Sequence, residues 1–168
     1  MTAHHLVVMG VSASGKTTVA EKIRDRTGWI FAEADDFHPR SNIEKMERGV
    51  PLTDEDRQPW LEALAAWIEG REKGGVSSIV TCSALKKDYR DILRGASDNV
   101  VFIHLHGDER TLTDRIEGRS GHFMPASLLE SQLDTLEELD EDENGYVFNI
   151  ELSPDEIAEE ALRRVLRV

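Results

Sequence analysis

Cysteine is almost absent from this chain of 168 residues, in which Cys82 stands alone. A single cysteine cannot form an internal disulfide, which is typical of proteins in a reducing compartment. Apolar residues make up 39% of the chain, but none of their runs approaches the roughly 20 residues of a membrane helix. The first ten residues carry one short apolar stretch, Leu6–Met9, and no basic segment of the secretory kind. We therefore expect a cytoplasmic protein without a membrane partner.

Positive charge is also scarce: the chain has 20 Lys and Arg residues but 33 Asp and Glu residues, which gives a net charge of −13. A body of that charge repels phosphate backbones, so we expect no nucleic-acid partner. The surplus is concentrated in residues 130–143, which hold eight acidic residues and no basic one. Such a run is typical of a solvated helix end and loop, and a docking surface for a basic partner is the alternative.

Short apolar runs alternate with amphipathic segments along the whole chain. Five runs have the composition of strands: Leu6–Met9, Trp29–Ala32, Val76–Cys82, Val100–Leu105 and Tyr146–Ile150. The last amphipathic segment begins with a capping pattern in which Ser153 is followed by Pro154 and then Glu156. No linker or repeat divides the chain. The pattern predicts one α/β domain, residues 1–168, with a five-stranded parallel sheet between two layers of helices.

The clearest motif is a phosphate-binding loop, GVSASGKT at residues 10–17, between the first predicted strand and a helical pattern. Its glycines permit a tight turn whose N–H groups converge on phosphate oxygens at a helix N-terminus. Lys16 is expected to reach the β- and γ-phosphates of ATP, and the Thr17 hydroxyl to bind Mg²⁺. The residues predicted to contact the nucleotide are Gly10, Val11, Ser12, Ala13, Ser14, Gly15, Lys16, Thr17 and Thr18.

Two other classes of nucleotide-binding protein fit the sequence less well. A GTPase switch needs an N-K-x-D motif, which is absent, and the two D-x-x-G matches, at residues 25–28 and 142–145, do not follow a suitable strand. A motor or large ATPase usually carries an apolar strand that ends directly in an acidic residue. Here the predicted strands 76–82 and 100–105 run into Ser83 and His106 instead.

Carboxylates do follow the second predicted strand, as Glu33, Asp35 and Asp36. This places them at the carboxyl edge of the sheet beside the phosphate loop, where open α/β sheets bind ligands. Glu33 and Asp35 are expected to face the same side of an extended segment, and one of them to help hold Mg²⁺. We predict that Asp35 orients the acceptor hydroxyl, with helix capping as the alternative, and that Asp36 is structural.

Several blocks of sequence resemble the bacterial gluconate kinases. They are DDFHPRSNIEKM at 35–46, GVPLTDEDRQPWL at 49–61, CSALK at 82–86, Tyr89-Arg90, GHFM at 121–124, Ser131-Gln132 and TLE at 135–137. They follow the family's order over most of the chain, and Glu33 departs from its pattern. The resemblance implies a P-loop NTPase-type kinase fold with a mobile lid at about 115–126. It also implies a homodimer that transfers phosphate from ATP to the 6-hydroxyl of D-gluconate.

The resemblance also implies a substrate site. Arg57 is predicted to bind the gluconate carboxylate through its forked guanidinium, in preference to Arg40 and Arg90. His38 is expected to bind substrate hydroxyls or a loop carbonyl. Lys86 is expected to reach substrate or phosphate, or else to share a solvated basic face with Arg90.

Three further residues are assigned near the lid. Arg115 and Arg119 share a helix face and resemble lid arginines that act with Lys16 on the transferred phosphoryl group; surface pairing with Asp114 or Glu117 is the alternative. Gln132 is interpreted either as a substrate contact or as boundary polarity. The stretch after Phe148, which ends in Ser153-Pro154, is a candidate for adenine binding by its position.

Two alternative functions stay open at this point. One is another small-molecule kinase of the same fold, acting on shikimate or a nucleoside monophosphate. The other is a nucleotide-binding regulator without turnover.

The phosphate-loop assignment predicts that Lys16→Ala abolishes useful turnover, because no other residue of the motif carries a charge to the β- and γ-phosphates. Kinase assays of the variant measure the loss, and circular dichroism shows whether the fold is kept. A folded variant with full activity would contradict the assignment.

Overall fold

The computed structural model describes residues 2–117 and 126–167, and its centre is a parallel sheet in the order β2-β3-β1-β4-β5. The strands are β1 (His5–Met9), β2 (Ile30–Glu33), β3 (Ser78–Thr81), β4 (Val100–His106) and β5 (Gly145–Asn149). All five predicted strands are confirmed, and none of their ends differs by more than two residues. Trp29 is left out of β2 because Gly28, in the left-handed conformation, has just ended the preceding helix.

Seven α-helices are described, together with a short 3₁₀ turn at Ala34–Phe37 that directly follows β2. The helices are α1 (Lys16–Thr27), α2 (Arg40–Glu47), α3 (Asp54–Lys73), α4 (Lys87–Arg94), α5 (Glu109–Glu117), α6 (Ala126–Thr135) and α7 (Pro154–Leu166). Helix α7 starts with the predicted capping box between Ser153 and Glu156. Within residues 2–117 and 126–167, no helix combines the length and apolar character needed to span a membrane.

The core lies on both faces of the sheet, as expected for parallel strands covered by helices. Along β1 the side chains alternate: Leu6 and Val8 pack with α1 and α7, whereas Val7 and Met9 pack with α3 and α4. The predicted three-layer α/β sandwich is therefore confirmed.

A buried ion pair ties α4 to the loop before β5. Arg90 has no exposed surface; its Nε and Nη2 donate to Glu143 at 2.7 and 2.9 Å, and its Nη1 donates to the Ala84 carbonyl at 2.8 Å. Arg94 adds a bond to Glu143 at 2.7 Å. The alternative of a solvated basic face shared by Lys86 and Arg90 is therefore wrong, since Arg90 is buried against a carboxylate 53 residues further along the chain.

The acidic run at 130–143 is solvated as expected at seven of its eight acidic residues, and Glu143 is the buried exception. Besides Glu143, Asp140 and Asp142 hold the Lys87 ammonium at 2.9 and 3.2 Å. Glu137 donates its N–H to the Leu85 carbonyl at 2.7 Å and accepts the Lys87 N–H at 2.8 Å. The segment 136–143, which we call the strap, therefore links the β3–α4 turn to the end of α6.

The strap predicts a stability effect for Glu143→Gln of about 3 kcal/mol in the free energy of unfolding, because Arg90 would keep a buried charge without its partner. Burial raises the pKa of Glu143, but hydrogen bonds from Arg90 and Arg94 outweigh it and bring the pKa to about 2. Since that value lies below the ordinary 4.5, the pair stabilises the fold fully above about pH 5 and less as the pH falls toward 2.

Denaturant titrations at several pH values measure this effect, with the exposed neighbour substitution Glu141→Gln as the matched control. A variant whose stability equals that of the wild type at neutral pH would contradict the account of the strap.

Candidate active site

The phosphate loop occupies the turn between β1 and α1 and has a backbone that few side chains permit. Gly10 has φ of +147°, and a Cβ there would lie 2.8 Å from both the Leu105 carbonyl oxygen and the Ser14 Oγ. Ala13 adopts the left-handed φ of +68°, a strained conformation of the kind that clusters at functional sites. The loop encloses a small cavity of about 130 Å³ lined by Ala13, Gly15, Lys16, Thr17 and Thr18.

Lys16 is the first residue of α1 and folds back across the loop. Its Nζ donates to the carbonyls of Gly10 and Val11 at 3.0 and 3.1 Å. The ammonium and the positive N-terminus of α1 therefore act at the same small cavity. This arrangement suits a chain of phosphates.

Thr17 and Glu33 form a pair of oxygen donors beside the loop. The Thr17 hydroxyl donates to Glu33 Oε1 at 2.9 Å, and the Thr81 hydroxyl donates to the other carboxylate oxygen. Mg²⁺ prefers oxygen ligands and usually completes its shell with phosphate and water. The Thr17 hydroxyl and the Glu33 carboxylate therefore fit Mg²⁺ as oxygen ligands. The carboxylate in contact with Thr17 is that of Glu33, not that of Asp35.

Asp35 lies in the 3₁₀ turn, so the expectation that Glu33 and Asp35 share one face of an extended segment is wrong. The turn begins at Ala34, whose carbonyl accepts the Trp60 indole N–H at 2.7 Å. That bond fixes the turn against α3 and leaves the Asp35 carboxylate exposed at the carboxyl edge of the sheet.

His38 follows the turn in the extended conformation expected before a proline. Its ring stacks on Trp60 with the centroids 4.2 Å apart, and its Nδ1 lies 3.3 Å from the Asn42 amide nitrogen. Burial lowers the pKa of His38, although the nearby Asp35 carboxylate opposes the shift. The imidazole is therefore neutral at pH 7 and can both donate and accept a hydrogen bond.

A larger cavity of about 560 Å³ opens between the α2–α3 segment, the β3–α4 turn and α6. Its walls combine apolar side chains with a few polar groups, which is the usual composition of a small-molecule site. Burial raises the pKa of the Cys82 thiol in this wall to about 12, as fits a core residue that is no nucleophile. The polar lining residues are Arg57, Ser83, Tyr89, Ser131, Gln132 and Thr135.

Arg57 is the arginine that the structure brings to this cavity. Its Nη1 donates to the Tyr89 hydroxyl at 3.1 Å and lies 3.7 Å from Asp54 Oδ1. Arg40 is 89% exposed and pairs with Glu44, and Arg90 is buried against Glu143. Neither of the two alternatives weighed from the sequence lines the cavity.

Lys86 lies at the start of α4 and is not among the residues that line the cavity. Its Nζ is 3.5 Å from Asp54 Oδ2, and Asp54 in turn accepts a hydrogen bond from Tyr89. Lys86 is therefore a partly exposed cation that shares Asp54 with Arg57, and it does not line the cavity.

Gln132 connects the larger cavity with the phosphate loop. It lines the larger one, and its Oε1 accepts the Ser12 N–H of the phosphate loop at 2.7 Å. Gln132 is therefore more than a polar residue at the boundary of an apolar stripe, and its contact with the substrate stays a prediction.

Arg115 lies close to Gly15 of the phosphate loop. Its Nη2 donates to the Ile150 carbonyl at 2.8 Å, and its Nη1 is about 4.0 Å from the place where a Cβ on Gly15 would stand. The segment proposed for adenine binding therefore passes close to the loop at Ile150. Arg119 and most of the predicted lid, residues 118–125, lie outside the described residues.

Sequence reasoning missed three contributors to the site. Trp60 was named only within a block that resembles the gluconate kinases, yet its ring stacks on His38 and its N–H bonds to the Ala34 carbonyl of the turn that carries Asp35. Tyr89 and Asp54 were given no role. The helical spacing of Lys86 and Tyr89, three residues apart, was the signal that Tyr89 shares the edge of this site.

The loop, the strand-end carboxylates and the adjoining cavity define the chain as a P-loop kinase for a small molecule. A family model described as an AAA domain matches residues 6–139. A gluconokinase from Gluconobacter oxydans is 49% identical over 94% of this chain and 89% of its own. A solved gluconokinase from Sinorhizobium meliloti has a TM-score of 0.87 and is 44% identical, over 98% of this chain and 92% of its own.

A solved sugar kinase from Janibacter has a TM-score of 0.90 and is 54% identical, over 99% of this chain and 95% of its own. The chain belongs to the gluconokinase family.

The predicted role of Asp35 implies that Asp35→Asn lowers kcat at least about tenfold, or about 1.4 kcal/mol of barrier, because the variant lacks the carboxylate proposed to orient the acceptor hydroxyl. Asp36→Asn, in the same exposed turn, is the matched control. Steady-state kinetics of both variants measure the effect, and an unchanged kcat for Asp35→Asn would leave that carboxylate with a structural role only.

Proposed function

We propose that this protein transfers the γ-phosphoryl group of ATP to the 6-hydroxyl of D-gluconate, giving 6-phospho-D-gluconate and ADP. The observation that carries the proposal is a cavity with an arginine in its wall that adjoins the phosphate loop through Gln132. Membership of the gluconokinase family gives the substrate class.

The acceptor is an open-chain molecule with a carboxylate at one end and a primary hydroxyl at the other. A forked guanidinium is the group that matches a carboxylate best, so Arg57 holds that end. The hydroxyl end then lies toward Gln132 and the phosphate loop. His38 and the serine and threonine hydroxyls of the cavity are available to the remaining hydroxyl groups.

On the nucleotide side, the main-chain N–H groups of residues 11–16 and the Lys16 ammonium hold the phosphates, apart from the N–H groups of Ser12 and Ser14, which donate to Gln132 and to the Val11 carbonyl. Thr17, with Glu33 behind it, is the group that would hold Mg²⁺, which neutralises phosphate charge when bound. Asp35 orients the hydroxyl and accepts its proton as the new O–P bond forms and the bond to the ADP oxygen breaks. Arg115 and Arg119 are assigned to the charge that develops on the transferred group.

A cytoplasmic homodimer belongs to the same proposal. The one buried cysteine is compatible with a reducing compartment, and the family resemblance supports the dimer. Light scattering of the purified chain measures its mass in solution.

The proposal predicts ADP release with gluconate and ATP, dependent on Mg²⁺, and little or none with shikimate or AMP. Related sugar acids in the same panel measure selectivity, and Lys16→Ala is the control for contaminating kinases. A response to AMP or shikimate instead of gluconate would contradict the proposed acceptor. ATP binding without turnover on any acceptor would point to a regulator.

A further inference from the structure

Four side chains at the edge of the large cavity form one connected group: Asp54, Arg57, Lys86 and Tyr89. The Tyr89 hydroxyl occupies its centre, because it accepts from Arg57 Nη1 at 3.1 Å and donates to Asp54 Oδ1. With a donor on one side and an acceptor on the other, the orientation of this hydroxyl is determined.

The ring that carries the hydroxyl is held firmly. Tyr89 is only 8% exposed and packs in the core on the α3 and α4 side of the sheet, with Leu61 and Leu93 in the same cluster. Arg57, by contrast, has a long side chain with many rotamers, and its guanidinium lies 5.5 Å from the centre of the Tyr89 ring. The rigid phenol therefore restricts where the guanidinium can point.

The protonation states support this arrangement at neutral pH. The hydrogen bond from Tyr89 is the main cause that lowers the pKa of Asp54, so the carboxylate stays charged. Burial, helped by the bond to Asp54, raises the pKa of Tyr89, so the phenol keeps the proton that it donates.

The charges of the group also suit one particular ligand. Arg57 and Lys86 are two cations, and Asp54 lies 3.7 Å from the first and 3.5 Å from the second. One carboxylate shared by two cations leaves a single positive charge beside the cavity, in a chain whose net charge is −13. This single positive charge beside the cavity is complementary to an acceptor with one carboxylate.

We propose that Tyr89 is a positioning residue whose hydroxyl, fixed by Asp54, directs the Arg57 guanidinium toward the single carboxylate of a sugar-acid acceptor. This inference rests on the proposed function and gives it a cause for selecting acids over uncharged sugars.

The test is the kinetics of Tyr89→Phe, which removes the hydroxyl and keeps the ring. We expect the gluconate KM to rise about tenfold, the effect of losing one hydrogen bond to a charged group. The values of kcat and of the ATP KM should change less than about twofold, because Arg57 acts on binding and not on the transferred group. Tyr146→Phe, which changes the chain's other tyrosine on β5, is the matched control.

A double-mutant cycle shows whether the effect acts through Arg57. In an Arg57→Ala background, which itself raises the gluconate KM, adding Tyr89→Phe should change nothing further. An equal effect in both backgrounds would mean that the hydroxyl has only a general structural role and would overturn the inference. Asp54→Asn provides a second variant, and the same rise in gluconate KM with kcat retained is expected from it.

Different results would contradict the proposed function and the role of Tyr89. Wild-type protein that does not phosphorylate gluconate would contradict the proposed function and this inference together. Wild-type activity with an unchanged gluconate KM in both Tyr89→Phe and Asp54→Asn would contradict the inference alone.

Discussion

The close contact of the phosphate loop with its neighbouring strands is the constraint on which the site depends. Gly10 lies so near the Leu105 carbonyl of β4 and Ser14 that a Cβ has no room there. On the other side, its N–H donates to the Ser83 carbonyl just beyond β3 at 3.3 Å. Because β1 lies between β3 and β4 in the sheet, one turn is held from both sides. Ser83 also lines the large cavity, so the same contact sets the phosphate loop beside that cavity.

Helix α6 and the residues after it also connect the phosphate loop with the β3–α4 turn beside the large cavity. Gln132 reaches the phosphate loop, and five residues later Glu137 bonds to both Leu85 and Lys87. The strap that follows is anchored by Glu143 on Arg90, whose guanidinium also holds the Ala84 carbonyl. The turn that carries Ser83 to Leu85 is thus fixed by Glu137 and Arg90, which do not line the large cavity.

The sequence was sufficient to predict features that depend on local pattern. The strands, the phosphate loop and the start of α7 each follow from a few adjacent residues. The role of Glu33 beside Thr17 was left open, because Asp35 is only two residues away and the 3₁₀ turn that separates them is fixed by Trp60, 26 residues later. Local pattern carries no information about such a partner.

The arginines show the same limit. Arg57 and Arg90 are of one type and both stand in blocks that resemble gluconate kinases, but Glu143 buries Arg90 whereas Tyr89 keeps Arg57 at the cavity. The partner, not the residue type, decides which arginine is available to a ligand. The same long-range pair buries Glu143, whereas the other seven acidic residues of the run at 130–143 are exposed.

The most direct measurement is a crystal structure of the protein with a non-hydrolysable ATP analogue, Mg²⁺ and gluconate. The account predicts the triphosphate in the loop of residues 10–17 and the gluconate carboxylate on Arg57. It also predicts a primary hydroxyl that faces both the γ-phosphate and Asp35. A triphosphate bound away from this loop, or a gluconate bound outside the cavity of Arg57 and Gln132, would contradict it.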